Sequence, residues 1–60
     1  MPARTPYFTI RLDQDGWRGR FFGKNGELVW WTEGYTRIEG ARHAVGLLKA
    51  YAPDAPVYEW

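Results

Sequence analysis

The sequence contains no cysteine, which removes disulfides, thiolate metal sites and any Cys nucleophile. Its one histidine, His43, cannot build a zinc centre without several carboxylates. It has no block of like charge. Eight Lys and Arg stand against seven Asp and Glu for a net charge of +1, so the signature of a nonspecific polyanion-binding tail is missing. No apolar run approaches the ~20 residues that span a bilayer, and the opening "MPARTPYF" lacks the apolar stretch of an export signal. These absences predict a cytoplasmic protein with no metal, no cofactor and no membrane partner.

Aromatic residues are what the chain has in excess. Four Trp, four Tyr and three Phe occur in sixty residues, and each buried ring would remove roughly 150–250 Å² from water. A domain of this length buries only about 60% of its unfolded surface and is marginal without a staple. With disulfides and metals excluded, association with a second copy is the remaining aid.

Alternation places the strands. In "YFTIRL" (7–12) Phe8, Ile10 and Leu12 share one face, and Tyr7, Thr9 and Arg11 the other. "DQDG" (13–16) reads as a turn, and "WRGRFF" (17–22) alternates again, with Arg18, Arg20 and Phe22 on one side. "KNG" predicts a hairpin reversal into a third strand, "ELVWWT" (27–32), which completes an antiparallel meander. Thr36 and Glu39 have capping-box spacing, and Ile38, Ala41, Val45, Leu48 and Ala52 then form one helix face. Pro53 ends the helix, and "APVYEW" has strand composition. The expected fold is α+β: a β-β-β-α-β unit, one domain over residues 1–60. A loose arm covers 1–5 and an extended tail strand 53–60.

The motifs resemble those of the YegP-like domains, a family of unknown function. The resemblance rests on Phe8 and Ile10, "DQDG", "WRGRFF", "NGELV" and "TEGYT", and it spans nearly the whole chain. It implies an antiparallel sheet with one helix packed on one face. It also implies units that occur as tandem repeats or as a dimer of single units, sharing one sheet and exchanging C-terminal strands. This single-unit chain fits the homodimer form, with Val57, Tyr58 and Trp60 on the exchanged strand. It brings no activity with it.

Three functional readings compete. Catalysis has little to stand on: His43 and Glu39 are a helical i,i+4 pair on the exposed face, a spacing that a solvated ion pair explains equally well. No Gly-rich phosphate loop opens a helix, so no catalytic residue is assigned. The favoured reading is a non-enzymatic module that binds a protein or small ligand on the sheet face away from the helix. The alternative is an accessory binder of single-stranded nucleic acid, with arginines for phosphates and aromatics for bases. Both use Arg18, Arg20, Phe22 and Trp30.

The Trp30–Trp31 doublet depends on the hairpin. A two-residue Asn-Gly loop turns Trp30 towards the core. A three-residue loop closed by Gly26 as a bulge pairs Phe21 with Val29, sets Gly19 opposite Trp31 and turns Trp31 inward. The second arrangement is expected, because the YegP-like resemblance implies an apolar residue at the Val29 position facing Phe21, and because Gly19 then reads as space left for an indole.

Overall fold

The computed structural model describes residues 5–60. Of the expected N-terminal arm, residues 1–4 lie outside the described residues. The element order is β1 (Tyr7–Asp13), β2 (Gly16–Phe22), β3 (Leu28–Trp31), α1 (Ile38–Lys49) and β4 (Val57–Glu59). The four strands make one sheet in the order β3-β2-β1-β4.

Period-two alternation survives intact in the β1–β2 ladder. Phe8 lies opposite Phe21, Ile10 opposite Gly19 and Leu12 opposite Trp17, all on the helix side. Asp13 accepts the Asp15 N–H at 2.9 Å, and Gly16 adopts φ +112°, a value that L side chains rarely reach. Together these bend "DQDG" into the expected turn.

Helix α1 lies across β1 and β2 and closes a small core of Phe8, Ile10, Ala41, Val45 and Ala55. Ile38, Leu48 and Ala52 flank it as expected, while Glu39, His43 and Gly46 face solvent. Gly19 is buried directly beneath the helix. A Cβ there would sit 2.6 Å from the Val45 side chain. The missing side chain therefore makes room for α1 and not for Trp31.

The helix start departs from expectation. Arg37, with extended backbone angles, occupies the cap position and makes no side-chain cap hydrogen bond. The expected Thr36–Glu39 capping box does not form. The preceding residue explains the shift, since Tyr35 is tied to Trp17 by two backbone hydrogen bonds of 2.7 and 2.8 Å. Its ring also packs where a Gly40 side chain would be. That clamp delays the helix by one residue.

The hairpin forms as expected, yet the register does not follow from it. Gly26 donates to the Gly23 carbonyl at 2.8 Å, Gly23 donates to the Glu27 carbonyl at 2.9 Å, and Gly26 has φ +84°. This is the three-residue loop closed by glycine. A second irregularity follows at once, because the ladder runs Phe22–Leu28 and then Phe21–Trp30, leaving Val29 as an extra residue. The shift turns Trp30 towards the core and Trp31 away from it, reversing the expected orientation. Val45 fills the space above Gly19, so an indole could not enter there. Thr32 takes that position, accepting the Gly19 N–H on its hydroxyl at 3.0 Å.

The sheet is mixed, not wholly antiparallel. The "APDAP" segment returns the chain to β1, where β4 pairs in parallel through Phe8–Val57, Thr9–Tyr58 and Ile10–Glu59. Backbone bonds from Phe8 to the Pro56 carbonyl (2.9 Å) and from Trp60 to the Ile10 carbonyl (3.0 Å) fix its ends. Within the chain, then, the tail lies on its own first strand. Among the described residues no helix is long and apolar enough to cross a membrane.

Candidate functional site: the open face of the sheet

The helix covers one face of the sheet, and the other carries the candidate site. By register, β1 contributes Tyr7, Thr9, Arg11 and Asp13 to it, and β2 contributes Arg18, Arg20 and Phe22. Trp31 lies opposite Arg20, and Tyr58 lies opposite Thr9. Arg18, Arg20 and Phe22 are thus brought together as expected. Trp30 is not among them: it packs against the core, and Trp31, 57% exposed, stands in its place.

The aromatic side chains on this face are ordered by one another. Tyr7 stacks on Phe22 with ring centroids 5.0 Å apart and meets Tyr58 edge-on at 6.0 Å. The Arg11 guanidinium lies 4.9 Å over the Trp60 ring, a cation–π contact. Tyr58 and Trp60, expected to matter as an exchanged tail, therefore belong to the same surface, because β4 adds its outward residues beside β1. Tyr7, Thr9 and Arg11 were visible as a face in the alternation of β1. Assigning them to the site required knowing that β1 is a central strand.

The charges on this face largely satisfy each other. Asp13 receives Arg20 at 3.1 Å and lies 3.6 Å from Arg18, which also pairs with Asp15 at 3.1 Å. The Asp15 backbone N–H, followed by the two arginines, holds the Asp13 carboxyl below its usual range. Arg11 makes no ion pair among the described residues. Between the Tyr7–Phe22 stack and Trp60 lies a hollow of about 450 Å³, lined by Tyr7, Thr9, Arg11, Arg20, Phe22 and Trp60. Thr9 is 4% exposed, and its hydroxyl has no hydrogen-bond partner among the described residues. Such a group typically costs about 1–3 kcal/mol.

On the helix side, Arg42 grips Glu59 through two hydrogen bonds of 2.8 and 2.9 Å and anchors β4. That contact holds the Glu59 carboxyl below its ordinary range. An apolar recess of about 360 Å³ opens beyond the helix, lined by Phe8, Phe21, Val29, Trp30, Leu48, Tyr51 and Ala52. Among the described residues no three His, Asp or Glu side chains are grouped to hold a metal.

The two lowered carboxylates make acid sensitivity a direct test of this geometry. Each has a folded-state pKa below its unfolded value, so its contribution is complete above the unfolded pKa, near ~4. That contribution disappears as the pH falls through the folded value. The melting temperature is expected to decline below about pH 4.5, and the D13N/E59Q double variant to flatten that decline. Melting curves recorded across acidic pH would contradict the pairing if wild type and variant lost stability in parallel.

Comparison with known proteins supplies the family. DUF1508, described as a domain of unknown function, matches residues 13–59. The chain belongs to the DUF1508 family. The UPF0339 proteins of Neisseria meningitidis serogroups B and A are each 41% identical over 54 residues, covering 88% of this chain and 96% of theirs. A UPF0339 protein of Caulobacter vibrioides is 32% identical over 50 residues, covering 83% of this chain and 85% of its own. No solved structure gives a significant match. DUF1508 membership agrees with the YegP-like resemblance read from the motifs, and like it assigns no activity.

Proposed function

We propose that this DUF1508 protein is a non-enzymatic, cytoplasmic binding module that works as a homodimer and recognises its ligand on the open face of the sheet. The carrying observation is the composition of that face. Tyr58, Trp60 and Trp31 are more than half exposed around an arginine–aspartate set that pairs internally. Exposed aromatic surface of this kind favours contact with another molecule, and the internal pairing leaves little free charge to hold a long polyanion.

Dimerisation is supported by the small core, five buried apolar residues among those described, and by the uncovered recess around Trp30. The contacts that seat β4 on β1 are equally open to a β4 from a second copy, the arrangement by which identical elements exchange. Light scattering is expected to give twice the subunit mass, and removal of residues 57–60 to dissociate or destabilise the assembly. A folded monomer at micromolar concentration overturns the dimer. For recognition, amide NMR shifts from a screen of small molecules and peptides are expected to gather on Tyr7, Arg20, Phe22, Trp31, Tyr58 and Trp60. Hits gathered on the helix face instead contradict the assignment.

One observation favours the nucleic-acid alternative, namely that Arg11 has no ion-pair partner among the described residues and lies over the Trp60 ring. Against it, a phosphate backbone needs several free cations in a row, and Asp13 and Asp15 engage the other two arginines. An oligonucleotide titration of wild type against the R18E/R20E variant separates the readings. Salt-sensitive binding that vanishes in the variant would replace the favoured reading.

A further inference from the structure

We infer that the hollow between the Tyr7–Phe22 stack and Trp60 is a binding site for a small planar aromatic anion, a flat ring carrying one carboxylate or phosphate. The inference rests on the open face being the recognition surface and names the chemistry that the surface takes. Three features of the hollow carry it.

Its size and walls suit a flat ring. About 450 Å³ falls within the range of small-molecule sites. Tyr7 and Phe22 line one end and Trp60, with the Arg11 guanidinium over its ring, the other, so a flat ring entering meets aromatic surface and the cation together.

Its free cation is single and already in place. Arg20 is bound to Asp13, whereas Arg11 has no carboxylate partner among the described residues and is held only against the Trp60 ring. A guanidinium offers two parallel donors to a carboxylate or phosphate. A polymer would need several such cations, whereas one suffices for a ligand with a single anionic group. A cationic ligand would meet like charge from Arg11, and a neutral one would leave its donors unused.

The floor holds an unmet donor. Thr9 is flanked in register by Arg20 and Tyr58, and its hydroxyl is enclosed with no partner among the described residues. An oxygen of the ligand reaching beneath the flexible arginine side chains would complete it.

The test is a titration of the isotopically labelled full chain with indole-3-carboxylate, uridine 5′-monophosphate and, as neutral control, indole. At least one anion is expected to give saturable shifts at the Thr9, Arg11 and Arg20 amides and the Trp60 indole N–H, and indole weaker ones. Arg11→Ala is expected to weaken binding about tenfold, the loss typical of a hydrogen bond to a charged group. Thr9→Val is expected to weaken it several-fold. Melting curves of both variants identify any that fails to fold, and Arg11→Lys, which keeps the charge, should restore part of the affinity. Binding of the carboxylate alone identifies an aromatic acid, and binding of the monophosphate alone a nucleotide. The inference is overturned by no saturation with either anion, by equal affinity for indole, or by undiminished binding to folded Arg11→Ala. Failure here, with screen hits still on the open face, removes only the anion site. Absence of any hit on that face removes the recognition surface as well.

Discussion

Phe8→Ala is expected to abolish most of the stability of the domain. Phe8 is fully buried, and its ring packs 4.6 Å from that of Phe21. It also stands where three elements meet: β2 on one side, β4 on the other and α1 above. Truncating a core phenylalanine to alanine typically costs about 3–5 kcal/mol. A chain of this length holds only about 3–9 kcal/mol in total. The magnitudes nearly cancel, so the variant should be largely unfolded or should melt close to room temperature. Urea denaturation followed by tryptophan fluorescence measures the loss. Phe8→Leu, which keeps most of the volume, should cost less than about 1.5 kcal/mol. A loss below about 1 kcal/mol for Phe8→Ala would place the core elsewhere.

The second large effect is expected at Gly34, for a different reason. A Cβ at this position would fall on the Asp15 backbone carbonyl oxygen, with the carbonyl carbon only 2.7 Å away. A side chain in that place could rotate aside, but a backbone carbonyl cannot. The turn that carries it is held by the Asp13–Asp15 bond and by the paired backbone of Trp17 and Tyr35. Gly34→Ala must therefore push the 32–36 segment off the first turn or break the Trp17–Tyr35 bonds. Overpacking of this kind typically costs about 1–3 kcal/mol. NMR should locate the disturbance at Asp15, Gly16, Trp17 and Tyr35. Gly46→Ala is the matched control, because a Cβ there meets nothing within 4 Å and lies in a helix. It should raise stability by about 0.5–1 kcal/mol. Equal losses at the two glycines would contradict the packing around Asp15.

Much of this architecture could be read from residue order, and the exceptions share a cause. The faces of β1 and β2 followed from alternation, because Phe8, Ile10 and Leu12 against Tyr7, Thr9 and Arg11 leave one register with a dry side. The apolar helix face followed from its spacing, and the hairpin reversal from Asn25 and Gly26. Each of these is decided within a few neighbouring residues. The failures were decided at a distance. Trp31 turned outward because Val45, from the helix, occupies the volume above Gly19. Thr36 lost its cap role because Tyr35 is tied to Trp17, eighteen residues earlier in the chain. β4 joined in parallel because the helix returns the chain to β1, which composition alone does not reveal. The candidate site followed the same rule. Arg18, Arg20 and Phe22 share a strand and were found together, whereas Tyr58 and Trp60 reach them only through the pairing of β4.

The extra residue at Val29 has a consequence for reading relatives of this chain. In a strand, displacement by one position exchanges the two sides, so a one-residue gap opened or closed within "LVWW" transposes every side chain after it. An alignment scored on residue identity treats Trp30 and Trp31 as near equivalents and has no reason to prefer one gap placement. Wherever it chooses wrongly, an indole that supports the helix is matched to one that faces outward. Substitution patterns at the two columns then blur into an average that describes neither role. Matching by the ladder, with Phe21 fixed opposite Trp30, keeps the interior and exterior columns separate.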